Sequence, residues 1–199
     1  MRDMNTPCIP VETVAGTRDV PLSVIHRANG NIFITGEIDQ EASENFLLQM
    51  LYYEQECPDR TVNVYINSPG GQVKAGLMII DILKKTKLSV NLICCSIAYS
   101  MAALILTVGK PGRRYAYPSA QIMIHEPLLT GGVGGSATNI REISENIMKT
   151  RDTLNAILAE HTGKSIEEIN KATSFDNYMS AEEAIQFGLI DSVLDGITV

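Results

Sequence analysis

The sequence predicts an α/β domain on a mainly parallel sheet, and three observations carry that expectation. Strand-like runs alternate with helical stretches: Asn31 to Thr35 precedes a helix capped by Asp39, and Thr61 to Asn67 precedes one from Val73 to Leu83. Strand, helix, strand at this spacing forms right-handed crossovers between parallel strands. The stretch from Leu88 to Gly109 carries no charge, although Lys87 and Lys110 bracket it, and its character changes at Ser100. Before Ser100 it is β-branched and apolar, a buried strand; after Ser100 it is rich in Ala, Leu and Ile, a buried helix closed by Gly109. Finally, 199 residues of which 45% are hydrophobic suffice for one domain with a real core.

Residues 1–30 contain Pro7, Pro10, Gly16, Pro21 and Gly30 and are expected to form an irregular N-terminal arm. The domain proper is 31–199, with no repeat or linker inside it. In its first helix Glu41 lies in the opening turn, Ala42, Phe46, Met50 and Tyr53 share a face, and Cys57-Pro58-Asp59 ends it. The strand Thr61 to Asn67 leads into a turn, Ser68-Pro69-Gly70-Gly71, and a largely buried helix with Val73, Leu77, Ile80 and Leu83 in register. Arg113 to Tyr117 and Gln121 to His125 are short strands split by Pro118-Ser119. Leu128 to Ser136, with Gly131, Gly132, Gly134 and Gly135, should be an exposed ribbon. Thr138 to His161 is the longest helix; Ile140, Ile143, Ile147, Leu154 and Ile157 keep heptad spacing broken at Thr150. That pattern fits packing partly on its own sheet and partly on a neighbouring subunit. Ser165-Ile166-Glu167-Glu168 and Ser180-Ala181-Glu182-Glu183 are capping boxes opening two short helices, with Phe175-Asp176-Asn177-Tyr178 a loop between them.

Net charge is −7 and no Lys/Arg cluster exceeds a pair, which disfavours nucleic acid as the main partner. The uncharged run is long enough to span a bilayer, but Ser89, Asn91, Ser96, Tyr99 and Ser100 interrupt it, which favours a buried element. Cys8, Cys57, Cys94 and Cys95 lack metal-ligand spacing, and adjacent Cys94 and Cys95 read as small buried hydrophobes. With no apolar leading segment, these features point to a reducing cytoplasmic compartment.

A serine at a strand-to-helix junction offers its hydroxyl, and the next amide, at the positive end of a helix dipole. Ser100 is therefore the leading nucleophile candidate, although helix capping is the commoner use of such a serine and Ala98-Tyr99-Ser100-Met101-Ala102 is not a G-x-S-x-G elbow. Three histidines narrow the search for a base. His26 lies in the arm beside Arg27 and reads as solvated; His161 ends a long helix, where an imidazole complements the dipole. His125 ends an apolar strand, at the sheet edge where α/β sites assemble, though a satisfied core histidine fits equally. Unpaired spacing of the three disfavours a metal site. The Asn67 to Gly71 corner is either an anion-binding turn or simply a tight connection, and no Gly-Lys-Ser/Thr follows to make it a phosphate loop.

Taken together, several segments in order resemble the proteolytic subunit of the Clp protease, the ClpP family, from about Ile32 to Leu194. They are Ile66-Asn67-Ser68-Pro69-Gly70-Gly71, Ser100-Met101-Ala102-Ala103, Tyr117-Pro118 with Met123-Ile124-His125-Glu126-Pro127, His161-Thr162-Gly163, and Met179-Ser180-Ala181-Glu182-Glu183-Ala184 with Gly188-Leu189-Ile190-Asp191. The resemblance implies a ClpP/crotonase-like α/β fold of repeated ββα units and a serine endopeptidase with a Ser100, His125, Asp176 triad. It also implies oxyanion-hole amides at Gly71 and Met101, and no cofactor or metal in this chain. Residues 1–30 would form the axial loop, and 128–161 a protruding handle meeting the opposite ring. The family stacks two seven-membered rings into a chamber docked by an ATP-using AAA+ unfoldase of the ClpX, ClpA or ClpC type.

Some positions depart from the family pattern. Ser96 stands where the family has glycine, Tyr99 where it has a small residue, and Ala102 where glycine is common. Ser174-Phe175 replaces the charged pair before the catalytic Asp, and Val20-Pro21 falls where a short helix is usual. Two other readings follow: a weakly active structural paralogue that needs a sister subunit in a mixed ring, and a crotonase-like acyl-CoA enzyme, which would not need the three side chains together.

Overall fold

A computed structural model describes residues 7–14, 16–129, 132 and 134–197. Of the arm expected to be irregular, residues 1–6 and 15 lie outside the described residues, and the rest forms short elements. β1 (Cys8–Thr13) and β2 (Gly16–Pro21) form an antiparallel hairpin, and α1 (Leu22–Ala28) follows. Pro10 sits inside β1 and Pro21 ends β2, so the prolines are accommodated rather than preventing these elements. Pro21 occupies the N-cap of α1 at φ −59°, already set for helix entry, and Leu22 N–H donates to Pro7 O, closing the hairpin's open end.

The domain continues through β3 (Asn31–Ile38), α2 (Gln40–Glu56), β4 (Thr61–Gly71), α3 (Val73–Lys85), β5 (Ser89–Tyr99), α4 (Met101–Thr107), β6 (Arg114–Ala116) and β7 (Gln121–Ile124). It ends with α5 (Ala137–Thr162), α6 (Ile166–Thr173), β8 (Asn177–Ser180), α7 (Ala181–Phe187) and β9 (Ser192–Val193). Among the described residues these strands make one seven-stranded sheet, β3-β4-β5-β6-β9, with β7 also pairing β5 and β8 lying against β7. All pairs in it are parallel except β7 with β8.

Side-chain amides pin the register. Asn91 donates to Asn63 and Asn63 to Asn31, while Arg113 donates to Asn91, so a polar row crosses β3, β4 and β5. A one-residue slip would break that row and turn each strand's apolar face outward. All seven residues of α4 are buried, at the centre of the core. The capping expectations hold: Asp39 accepts from Ala42 N–H, and Ser165 and Ser180 each form a complete capping box.

Four local expectations are corrected. Ser68-Pro69-Gly70-Gly71 is not a turn but the continuation of β4, pairing with Glu37 and Ile38 across bulges on both sides. The segment Asn177–Tyr178 is not loop but the start of β8; four residues with a single buried one, Met179, carry too little apolar alternation to announce a strand. Val108, not Gly109, is the C-cap of α4; a Cβ on Gly109 would come within 2.7 Å of Arg114 Cγ, so this glycine provides packing room. Cys94 is buried, and burial pushes its thiol up to about 12, whereas Cys95 is only half-buried.

The first half of α5, residues 137–150, is almost wholly exposed, and the buried residues of this helix begin at Leu154. Residues 128, 129, 132 and 134–136 are exposed as expected, while the ribbon's Thr130, Gly131 and Val133 fall outside the described residues. No helix among the described residues is long and apolar enough to cross a membrane.

Candidate active site

Ser100 joins β5 to α4 at φ 53°, ψ −123°, the one non-glycine residue among those described with a left-handed φ. A conformation this sparsely populated costs of order 1–3 kcal/mol and persists only where neighbours enforce it. Here Ser100 N–H donates to Met123 O on β7 at 2.8 Å, and its carbonyl accepts from Ala103 and Leu104, opening the helix. Capping would direct the Ser100 hydroxyl back to a helix amide, yet its side chain makes no such bond. The hydroxyl lies instead 2.9 Å from His125 Nε2.

His125 directly follows β7, whose parallel pairing to β5 ends at Tyr99 opposite Met123. That register carries the imidazole alongside Ser100. On its far side, Nδ1 lies 3.0 Å from Asp176 Oδ1. Asp176 arrives there because β8 is antiparallel to β7 with Asn177 opposite Ile124, so the next residue outward on each strand is Asp176 and His125. The strand missed in the sequence is thus the element that completes the cluster. The imidazole is mostly buried, 13% exposed, whereas the carboxylate is 58% exposed. With Nδ1–H donating a hydrogen bond to Asp176, Nε2 is free to accept the serine proton.

Gly71 and Met101 both line the cleft beside Ser100, a cavity of about 180 Å³ shared with Pro69, Val73, Leu104, His125, Pro127, Leu128 and Leu154. The Met101 amide opens α4 and has no acceptor one turn back within the helix. Gly71 belongs to the extended end of β4, so its amide is presented by a strand rather than by a turn opening a helix. Gly70, expected with Gly71 to allow a close backbone approach, makes that approach to the serine itself. At φ 95° its missing Cβ would come within 2.8 Å of Ser100 Cβ and 2.7 Å of Tyr99 O, so only glycine lets β4 press against the serine. Its signal was the Gly-Gly pair itself.

The other two histidines stay apart. His26 is exposed on α1, its ring edge-on to Phe33 at 6.1 Å. His161 lies in the last turn of α5, with Nε2 3.6 Å from Glu160 Oε2. Burial, helped by Lys84 and Arg114, lowers its pKa, and Nε2 is buried without a hydrogen-bond partner.

The buried helix α4 packs on β4, β5 and α3 and lines the cleft with Met101 and Leu104. A family model described as Clp protease matches residues 21–196. That span takes in α1, the whole sheet and every residue of the cleft, and the mostly parallel α/β architecture agrees with the ClpP/crotonase-like fold. The chain belongs to the Clp protease family, a family of peptidases.

Proposed function

We propose that this chain is a serine endopeptidase subunit that cleaves unfolded polypeptides, with Ser100 as nucleophile, His125 as base and Asp176 as its orienting partner. The observation that carries the reading is the continuous hydrogen-bonded chain from Asp176 through His125 to the Ser100 hydroxyl. As Ser100 Oγ attacks a peptide carbonyl, Nε2 takes its proton; Asp176 keeps the tautomer and favours the imidazolium. The tetrahedral oxyanion would be held by the Gly71 and Met101 amides, and losing one such donor costs on the order of 10²–10³ in rate. His125 then returns the proton to the leaving amine, and water repeats the cycle on the acyl-enzyme. The substrate would run extended past Leu128, pairing with the start of the glycine-rich ribbon.

Membership of this family supports the larger assembly: two stacked seven-membered rings, a tetradecamer, with residues 1–30 as axial loops and 128–161 as handles, docked by an AAA+ unfoldase that uses the ATP. The exposed first half of α5 suits a handle. We place this activity in the cytoplasm, with no cofactor of the chain's own.

A fluorophosphonate probe tests the triad. Labelling of Ser100, absent in Ser100→Ala and in protein denatured beforehand, is the expected result; peptide turnover that survives Ser100→Ala overturns it. A second reading, a supporting subunit of a mixed ring, is favoured by Phe175, 58% exposed just before Asp176 in place of a charged pair. Labelling that appears only after a sister subunit is added would select it.

A further inference from the structure

We propose that Tyr99 and Tyr178 form an aromatic brace that holds Asp176 in register with His125, making Tyr99 a positioning residue. The inference rests on the triad reading and adds to it what keeps the third member in place.

Asp176 is poorly secured by its own strand. β8 is four residues long and pairs only with β7, and its ladder ends at Asn177 opposite Ile124, one residue short of the carboxylate. Short edge strands fray from their ends at little cost. On the near side the chain is tied again only at Thr173, whose carbonyl accepts from Glu126 N–H. Asp176 therefore sits in a short span between two ties, with its carboxylate 58% exposed.

Tyr178 supplies the missing anchor. Tyr99 on β5 faces Met123 on β7, and Met123 faces Tyr178 on β8, so the three side chains form one row on one face of the sheet. The two rings meet edge to face, 5.5 Å apart and at 90°, over Met123, which is 6% exposed. The Tyr99 hydroxyl donates to Gln121 Oε1 at 2.5 Å, which fixes the ring's direction. Tyr99 does not line the cleft. The brace thus links the residue before Ser100 to the residue two beyond Asp176, across His125's own strand.

The test measures turnover of a short fluorogenic peptide by the assembled protein. Tyr99→Ala should lower kcat about 10-fold, since misplacements of about 1 Å cost up to 10²-fold, while KM stays within about twofold. Tyr99→Phe, which keeps the ring, should restore most of the loss. Tyr178→Ala should match Tyr99→Ala, and the double variant should lose little more than either alone. In an Asp176→Asn background Tyr99→Ala should cost less than about twofold, because the group it acts through is gone. An equal loss in both backgrounds, additive tyrosine effects, or a raised KM with kcat intact would overturn the brace. Should Tyr99→Ala fail to assemble, the half-exposed Tyr178→Ala decides by the same criteria. A wild type left inert and unlabelled at Ser100 both alone and with a sister subunit would sink the triad; an active one indifferent to both tyrosines sinks only the brace.

Discussion

The two ends of α4 receive opposite treatment. At its C-terminus the carbonyl of Thr107 meets the Arg114 guanidinium, which also donates to His161 O and Gly188 O, so one cation gathers the ends of α4, α5 and α7. Asp191 closes that cluster with both carboxylate oxygens, one of them 2.6 Å from Arg114 Nη2, and its side chain is only 19% exposed. At the N-terminus Ser100 is strained, the Met101 amide opens onto a cleft, and the acid of the cluster is 58% exposed. Seven residues of helix separate these ends, about 10 Å. The closed end gathers its carbonyls and its carboxylate onto one guanidinium, whereas the open end leaves the first helix amide facing a cleft.

That contrast predicts opposite mutational signatures. At the open end Asp176→Asn should lower kcat on the order of 10³–10⁴, because the amide favours the wrong imidazole tautomer, while the melting temperature hardly moves. Near-normal peptide turnover would remove Asp176 from the chemistry, and a large loss of stability would make it a structural acid. At the closed end Arg114→Met should cost about 3–5 kcal/mol in denaturant unfolding, since it strands a part-buried carboxylate and three carbonyls. Arg114→Met with Asp191→Leu should recover part of that loss, which a double-mutant cycle reads directly. A smaller contrast comes from two glycines. Gly70→Ala combines a positive φ with a Cβ pressed on Ser100 and should slow probe labelling as well as destabilise, by about 1–3 kcal/mol. Gly112→Ala, at φ 79° with nothing within 4 Å, meets only the backbone cost and should leave labelling unchanged.

Legibility in the sequence follows the same division. The βαβ order, the long helices and both capping boxes were readable because periodicity and caps are local signals, as Asp39, Ser165 and Ser180 illustrate. Ser100 and His125 stood out from their positions at element junctions, but their meeting depends on β5 and β7 pairing, which no local pattern encodes. Asp176 was reached only through resemblance; the strand that aligns it is four residues long with one buried residue. The pairing of Arg114 with Asp191 was not legible: an Arg-Arg pair opening a short strand reads as surface charge until residues 77 positions apart come together. The N-terminal hairpin hid behind its prolines, which a two-stranded ribbon tolerates because each strand has a free edge.

The smallest predicted effect concerns acid. Burial alone would raise the Asp191 carboxyl, but hydrogen bonds from Arg114 and its charge outweigh burial and hold it below the usual carboxylate range. Burial, reinforced by Lys84 and Arg114 and opposed by Glu160, lowers His161. In both cases the unfolded chain binds its proton at higher pH than the folded chain does, so protonation favours unfolding as pH falls. The His161 contribution is complete above about pH 6.5 and declines below it; that of Asp191 is complete above about pH 3.9 and is lost only in stronger acid. Melting temperature should therefore begin a shallow fall just below pH 6.5, before the steep loss at lower pH. His161→Phe should flatten the shallow part and leave the steep part in place. If the variant keeps the wild-type slope between about pH 6.5 and 5, then the His161 imidazole is not buried as a neutral ring, and the closed end of α4 accepts a second cation beside Arg114.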